Sequence, residues 1–173
     1  LMQNLSTIND LAGNPVVLGR VSDENYTVDR VAPAVGSIVR LTPAQELTNA
    51  AEVTFAVTFS ESVTGLDTDN FTPNGADEQV GTTVSSVGGA GEDWTVTMST
   101  SIGVGTIRVD LDAGLDDVVD AAGNGLAQGH TGDEIYDVDR ILPRCTALTR
   151  NTPATELTNA TQVVFSATFN ESV

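Results

Sequence analysis

Three carboxylates stand first among the residues whose types and spacing could do chemistry. Asp29, Glu61 and Asp120 each have an acidic counterpart 110 positions away, at Asp139, Glu171 and Asp10. Calcium takes about six to eight oxygen ligands from flexible loops, so acids of this kind are candidates to hold it. Asp67 and Asp69 are further candidate ligands, and Asp139 is the candidate at the later counterpart position. Asp112, Asp116 and Asp117 face Met2, Ser6 and Thr7 at the same spacing and do not recur. The competing account of such Asp and Asn residues is turn formation, through bonds to nearby backbone N–H groups.

Other chemistries find little support. His130 is the single histidine, so a Ser-His-Asp triad or a His-rich metal site has nothing to build on within the chain. It aligns with Arg20, which predicts an exposed loop position. Cys145 is the lone cysteine, so no intrachain disulfide forms. It aligns with Val35, which predicts a half-buried strand residue. Asp67-Thr68-Asp69 opens like an EF-hand, but Phe71 and Thr72 stand where a ligand and the required glycine belong. The run 88–93 resembles half of a calcium-binding nonapeptide, a motif that works only in tandem, so a hairpin turn is expected there. Trp94 alternates with Val96 and Met98, which predicts a core residue rather than a sugar-stacking platform. Nothing marks a catalytic carboxylate pair, and the chain is read as a non-enzyme.

The formal net charge is −17, from 24 acidic and 7 basic residues, the latter all arginine. Such a surface repels phosphate backbones and anionic membranes, so nucleic-acid binding and membrane association are not expected. Cations are its natural partners, and the plain alternative is that the acids keep the protein soluble. Without lysine, a Lys–Asn isopeptide crosslink cannot form. No run is long enough to cross a membrane as a helix, and no signal peptide is seen.

The elements that must position these acids come from an internal repeat. Residues 31–63 match 141–173 without a gap, sharing TPAxELTNAxxVxFxxTFxESV, and about half the positions are identical. Residues 8–30 match 118–140 equally well at the same 110-residue offset. The expected parsing is the tail of one repeat at 1–30, a complete repeat at 31–140 and the head of a third at 141–173. On this reading the natural chain continues in both directions.

Inside the complete repeat, period-two alternation predicts strands near 35–41, 51–60, 69–73, 79–87, 92–99, 104–112 and 134–139. Phe55, Phe59, Trp94 and Ile107 are the expected core. No segment has helical periodicity. The expected fold class is therefore all-β: tandem seven-strand immunoglobulin-like sandwiches with a 110-residue period. In that topology the linker 29–33, the loop 61–70 and the loop 112–132 meet at one pole, which gathers the acids.

The segments PAxELTNAxxVxFxxTFSESVTGLDTDNF, VGTIRVDLDAGLDDVVDAAGNGL and YDVDR resemble the bacterial Ig-like, cadherin-like repeats of large cell-surface adhesins. The resemblance covers nearly the whole chain. It implies an extracellular stalk or adhesive fibre, often rigidified by calcium at repeat junctions. The family's junction reads nearer to VDTTAP, whereas this chain has Val28-Asp29-Arg30-Val31-Ala32-Pro33, so Arg30 departs from it. Asp29-Arg30 and Asp139-Arg140 recur at both boundaries. The expectation is that each Asp helps hold an ion and each Arg pairs with an acid of a neighbouring repeat. Sequons begin at Asn4, Asn25, Asn70, Asn159 and Asn170, compatible with an extracellular address. The expected function is a structural rod, each repeat roughly 40 Å long. Its partners are neighbouring repeats and other copies of the chain. A self-assembling filament or sheath, or a binding accessory module of a secreted protein, is the alternative.

Overall fold

A computed structural model describes residues 9–16 and 24–173. Met2, Asn4, Ser6, Thr7 and Arg20, which enter the sequence comparison above, lie outside the described residues. The chain divides into two units, Leu1–Arg30 and Val31–Val173. The first contains a bridge between Asn9 and Pro15 that closes a turn over 10–14.

The second unit is all-β. Its strands are β1 (Val35–Thr42), β2 (Leu47–Thr48), β3 (Glu52–Val63), β4 (Phe71–Gly75), β5 (Val84–Ser99), β6 (Val104–Leu111), β7 (Leu115–Val119), β8 (Gly125–Leu126), β9 (Tyr136–Asp139), β10 (Cys145–Thr152) and β11 (Val164–Phe169). Among the described residues the only helices are two 3-10 turns, Thr68–Asn70 and Asp77–Gln79.

One sheet has the order β1-β3-β5 and another β2-β9-β6-β4. β5 folds back on itself around Gly91, whose φ is +71°. Its ends meet where Ser99 N donates to Thr83 O at 2.9 Å, and Thr95 Oγ1 donates to Gly88 O at 3.2 Å. The expected turn at 88–93 is therefore present. Alternation drives the layering, because in β3 Val53, Phe55, Val57 and Phe59 are buried while Thr54, Ala56 and Thr58 are only half-buried. Ile38, Phe55, Val96 and Met98 from the first sheet share one core with Ile107, Val109, Tyr136 and Val138 from the second. Phe55 and Tyr136 join the layers edge to face, with centroids 5.1 Å apart.

Four sequence expectations change in the structure. Trp94 is half-buried at the margin of this core rather than inside it, and its indole N–H donates to Gly91 O at 3.1 Å. The strand expected at 79–87 starts at Val84, as the first arm of β5, because Gln79 is fully buried and ties 77–79 into a turn. Its amide nitrogen donates to Ser101 O and Gly103 O, and its oxygen accepts from Ser101 N. Cys145 is exposed rather than half-buried, since every residue of β10 is exposed. His130 is only partly exposed, bridged to Leu111 through both backbone groups.

β10 and β11 pair in the register that β1 and β3 use. Val35 faces Phe59 and Cys145 faces Phe169, Arg40 faces Phe55 and Arg150 faces Phe165, with the bulges at matching places.

Candidate metal centre

Asp120 occupies the turn between β7 and β8. Its Oδ1 accepts from Ala122 N and Asn124 N, both at 2.8 Å, and its Oδ2 accepts from Asn124 Nδ2 at 2.8 Å. Gly123 supplies the positive φ, +89°, that closes the turn. The Asn124 side chain leads the interactions that hold the Asp120 carboxyl below the ordinary aspartate range, with the backbone N–H groups adding to it against the cost of burial. Asp120 is thus a fixed carboxylate. Oδ2 still has a lone pair beyond its bond to Asn124.

Asp10 builds the same turn in the first unit. It accepts from Ala12 N, Asn14 N and Asn14 Nδ2, each at 2.9 Å. The recurrence of Asp10 and Asp120 therefore has a backbone reason of its own.

Glu61 lies near the end of β3. There Thr64 and Val119 exchange backbone bonds of 2.9 and 3.1 Å, tying that strand end to β7. Gly65 makes the approach possible. Its φ is +94°, and a Cβ there would stand 2.0 Å from Asp117 O. This close backbone contact brings carboxylate oxygens of Glu61 and Asp120 within 4.8 Å of each other. The chain enters the unit at the same end, where Ala34 N donates to Ser60 Oγ and Ser60 N to Ala34 O. Asp29 is an exposed residue of the first unit, two positions before Val31.

The other candidates have separate settings. Asp67 caps the 3-10 turn, accepting from Asp69 N at 2.8 Å while its own N–H donates to Asn70 Oδ1 at 2.7 Å. Asp69 is exposed. Among the described residues neither belongs to a group of three potential ligands, and nor does Asp139. Asp139 faces Val104, at the start of β6, whereas Asp120 follows its end, so the two sit at opposite ends of the unit. Its carboxylate accepts from Ile141 N at 3.0 Å. Arg140 donates to Thr100 O at 3.0 Å and to Thr100 Oγ1 at 3.3 Å, so it bonds within its own unit.

Two acids that sequence reasoning did not single out have strong local roles. Asp133 Oδ2 accepts from Ile38 N at 2.7 Å, and Glu134 Oε2 accepts from Arg40 N at 2.8 Å. These carboxylates occupy the free edge of β1, where a strand neighbour would otherwise bond. The Ile38 N–H and then the His130 ring hold the Asp133 carboxyl below its usual range. The partners lie 95 and 94 residues apart, so no local pattern announces them.

No family model, curated protein or solved structure matches the chain. No described helix is long and apolar enough to cross a membrane.

Proposed function

We propose that this chain is a stretch of an extracellular rod built from immunoglobulin-like repeats, stiffened by calcium at the repeat junction. The sheet order supports the fold. Counting the two arms of β5 separately, β1, β3 and those two arms form one sheet and β4, β6 and β9, with β2 beside β9, the other, as in that family of sandwiches. The 110-residue spacing supports the tandem reading, with repeats divided at 30/31 and 140/141.

The observation that carries the calcium reading is the Glu61–Asp120 pair, two carboxylates brought close together at one end of the unit. Like charges so placed repel unless a cation screens them. Asp29, from the segment leading into the unit, is the third ligand in this proposal, and backbone carbonyls or water complete the shell. A cation joining the linker acid to the strand-end acids restricts bending between neighbours. The role is mechanical and needs no catalytic residue.

The test is equilibrium unfolding in urea, followed by Trp94 fluorescence, with calcium and then with chelator. A ligand that binds only the folded state at a hundredfold excess over its Kd adds about 2.7 kcal/mol. The proposal expects a rise of that order with wild-type chain and none with Glu61→Gln. A calcium effect no larger than that of matched ionic strength refutes it.

A further inference from the structure

The two sheets of the sandwich have four edges between them, and three are blunted. On β1 the carboxylates of Asp133 and Glu134 take the Ile38 and Arg40 N–H groups, at 2.7 and 2.8 Å. β4 carries Pro73 at its centre, which has no N–H to offer. β2 is only two residues long. Short strands, prolines and charged side chains are the devices that keep a sheet edge from pairing with another chain.

The fourth edge has none of them. The second arm of the β5 hairpin pairs with β3, from Ser99 opposite Glu52 to Gly91 opposite Val63, so the first arm is the rim of that sheet. Among the described residues no other strand pairs with 84–88. Residues 80–91 hold no charged side chain, in a chain with 24 acidic residues and 7 arginines. The positive φ of Gly89, +129°, falls beyond this stretch. Val84 and Val87 pack against the core, while Ser85 and Ser86 are exposed. The rim Val84-Ser85-Ser86-Val87 therefore reads alike in both directions, in residue type and in burial.

We propose that this rim is a self-association surface, where 84–87 of one copy pairs antiparallel with 84–87 of a second copy about a twofold axis between Ser85 and Ser86. Val84 then faces Val87 of the second copy, and Ser85 faces Ser86. The occupant is a second copy because the rim complements itself, and because only an uncharged strand lets two chains of net charge −17 meet edge to edge. The contact joins the same surface of both copies, so it closes at two. With the other three edges blunted, neither sheet extends further. The rim runs along the flank of the unit, so two repeats pair side by side and the ends of each stay free for its neighbours in the rod. None of these residues is a proposed calcium ligand, so this inference and the calcium reading fail separately.

The experiment is sedimentation equilibrium of the full chain up to about 1 mM, the range in which a small contact associates. Physiological salt screens the −17 charge that opposes pairing. Wild type is expected to rise toward the mass of two chains and stop there. Ser85→Glu with Ser86→Glu sets like charges opposite each other across the axis and is expected to weaken the dimer about tenfold. Ser85→Lys with Ser86→Lys is expected to do the same alone. Mixed in equal amounts, the two double variants are expected to pair with each other. Both serines are exposed, and urea unfolding followed by Trp94 checks that each variant folds. Amide exchange of wild type needs no variant: exchange at 84–88 is expected to slow as concentration rises, while exchange at 36–40 stays the same. A wild type that remains monomeric overturns the proposal. So does a glutamate variant that pairs as wild type does, a mixture that stays monomeric, mass that rises past two chains, or exchange at 84–88 that ignores concentration.

Discussion

Replacing Tyr136 with phenylalanine removes one oxygen from the centre of the second unit. The tyrosine is fully buried, and its hydroxyl reaches two backbone carbonyls, Pro43 O and Thr54 O. The ring contact with Phe55 survives the change, so the loss belongs to the hydroxyl alone. Leaving buried acceptors without their donor costs about 1–3 kcal/mol. Tyr136→Ala also removes the ring and should cost about 3–5 kcal/mol. Urea unfolding monitored by Trp94, the single tryptophan, measures both. With a urea slope of about 1–3 kcal/mol per molar, the phenylalanine variant should shift the midpoint by roughly 1 M at unchanged slope. Burial chiefly raises the Tyr136 pKa above 10.0. The stability this contributes is complete below pH 10.0 and is lost as pH rises through the raised value, a loss the phenylalanine variant should not show. A cost below about 0.5 kcal/mol would refute the hydroxyl's role.

Two glycine substitutions should differ. Gly65→Ala combines a φ of +94° with a Cβ 2.0 Å from Asp117 O, and should cost about 2–4 kcal/mol and blunt any calcium response. Gly123→Ala has a similar φ of +89° with nothing within 4 Å, and should cost only about 1–2 kcal/mol in the same urea assay. Acid should unfold the second unit through its held carboxylates. Asp120 and Asp133 have pKa values lowered from 3.8, so the stability they add is present above pH 3.8 and is lost as pH falls through the lowered values. Circular dichroism against pH should therefore show loss of structure beginning below 3.8, and a shallower loss in Asp133→Asn.

Much of the sandwich is legible in the sequence because burial on one face of a strand writes itself as period two. Val53 to Phe59, Trp94 to Met98 and Ile107 to Leu111 all form strands, and their apolar members apart from Ala56 and Trp94 are buried. Elements too short or irregular to alternate escape that signal. β2 has two residues, and β7 reads Leu-Asp-Asp-Val-Val. Gln79 escapes for another reason: a buried polar side chain with every group bonded looks like a surface residue to hydropathy. The candidate site was legible in the same partial way. The 110-residue spacing singled out Glu61 and Asp120, but not that Asp120 serves its own turn or that Gly65 lets the two strands approach. Asp67, a candidate because its loop falls at the pole expected to gather the acids, is a cap. The Asp133–Glu134 strap depends on contacts between residues 95 and 94 positions apart, which no local pattern encodes.

Calorimetric titration of the full chain with calcium, at constant ionic strength, tests the central claim most directly. The account predicts saturable binding of one calcium that is lost in Glu61→Gln and in Asp29→Asn while both variants remain folded. Binding heats that are absent, or unchanged in both variants, would contradict it.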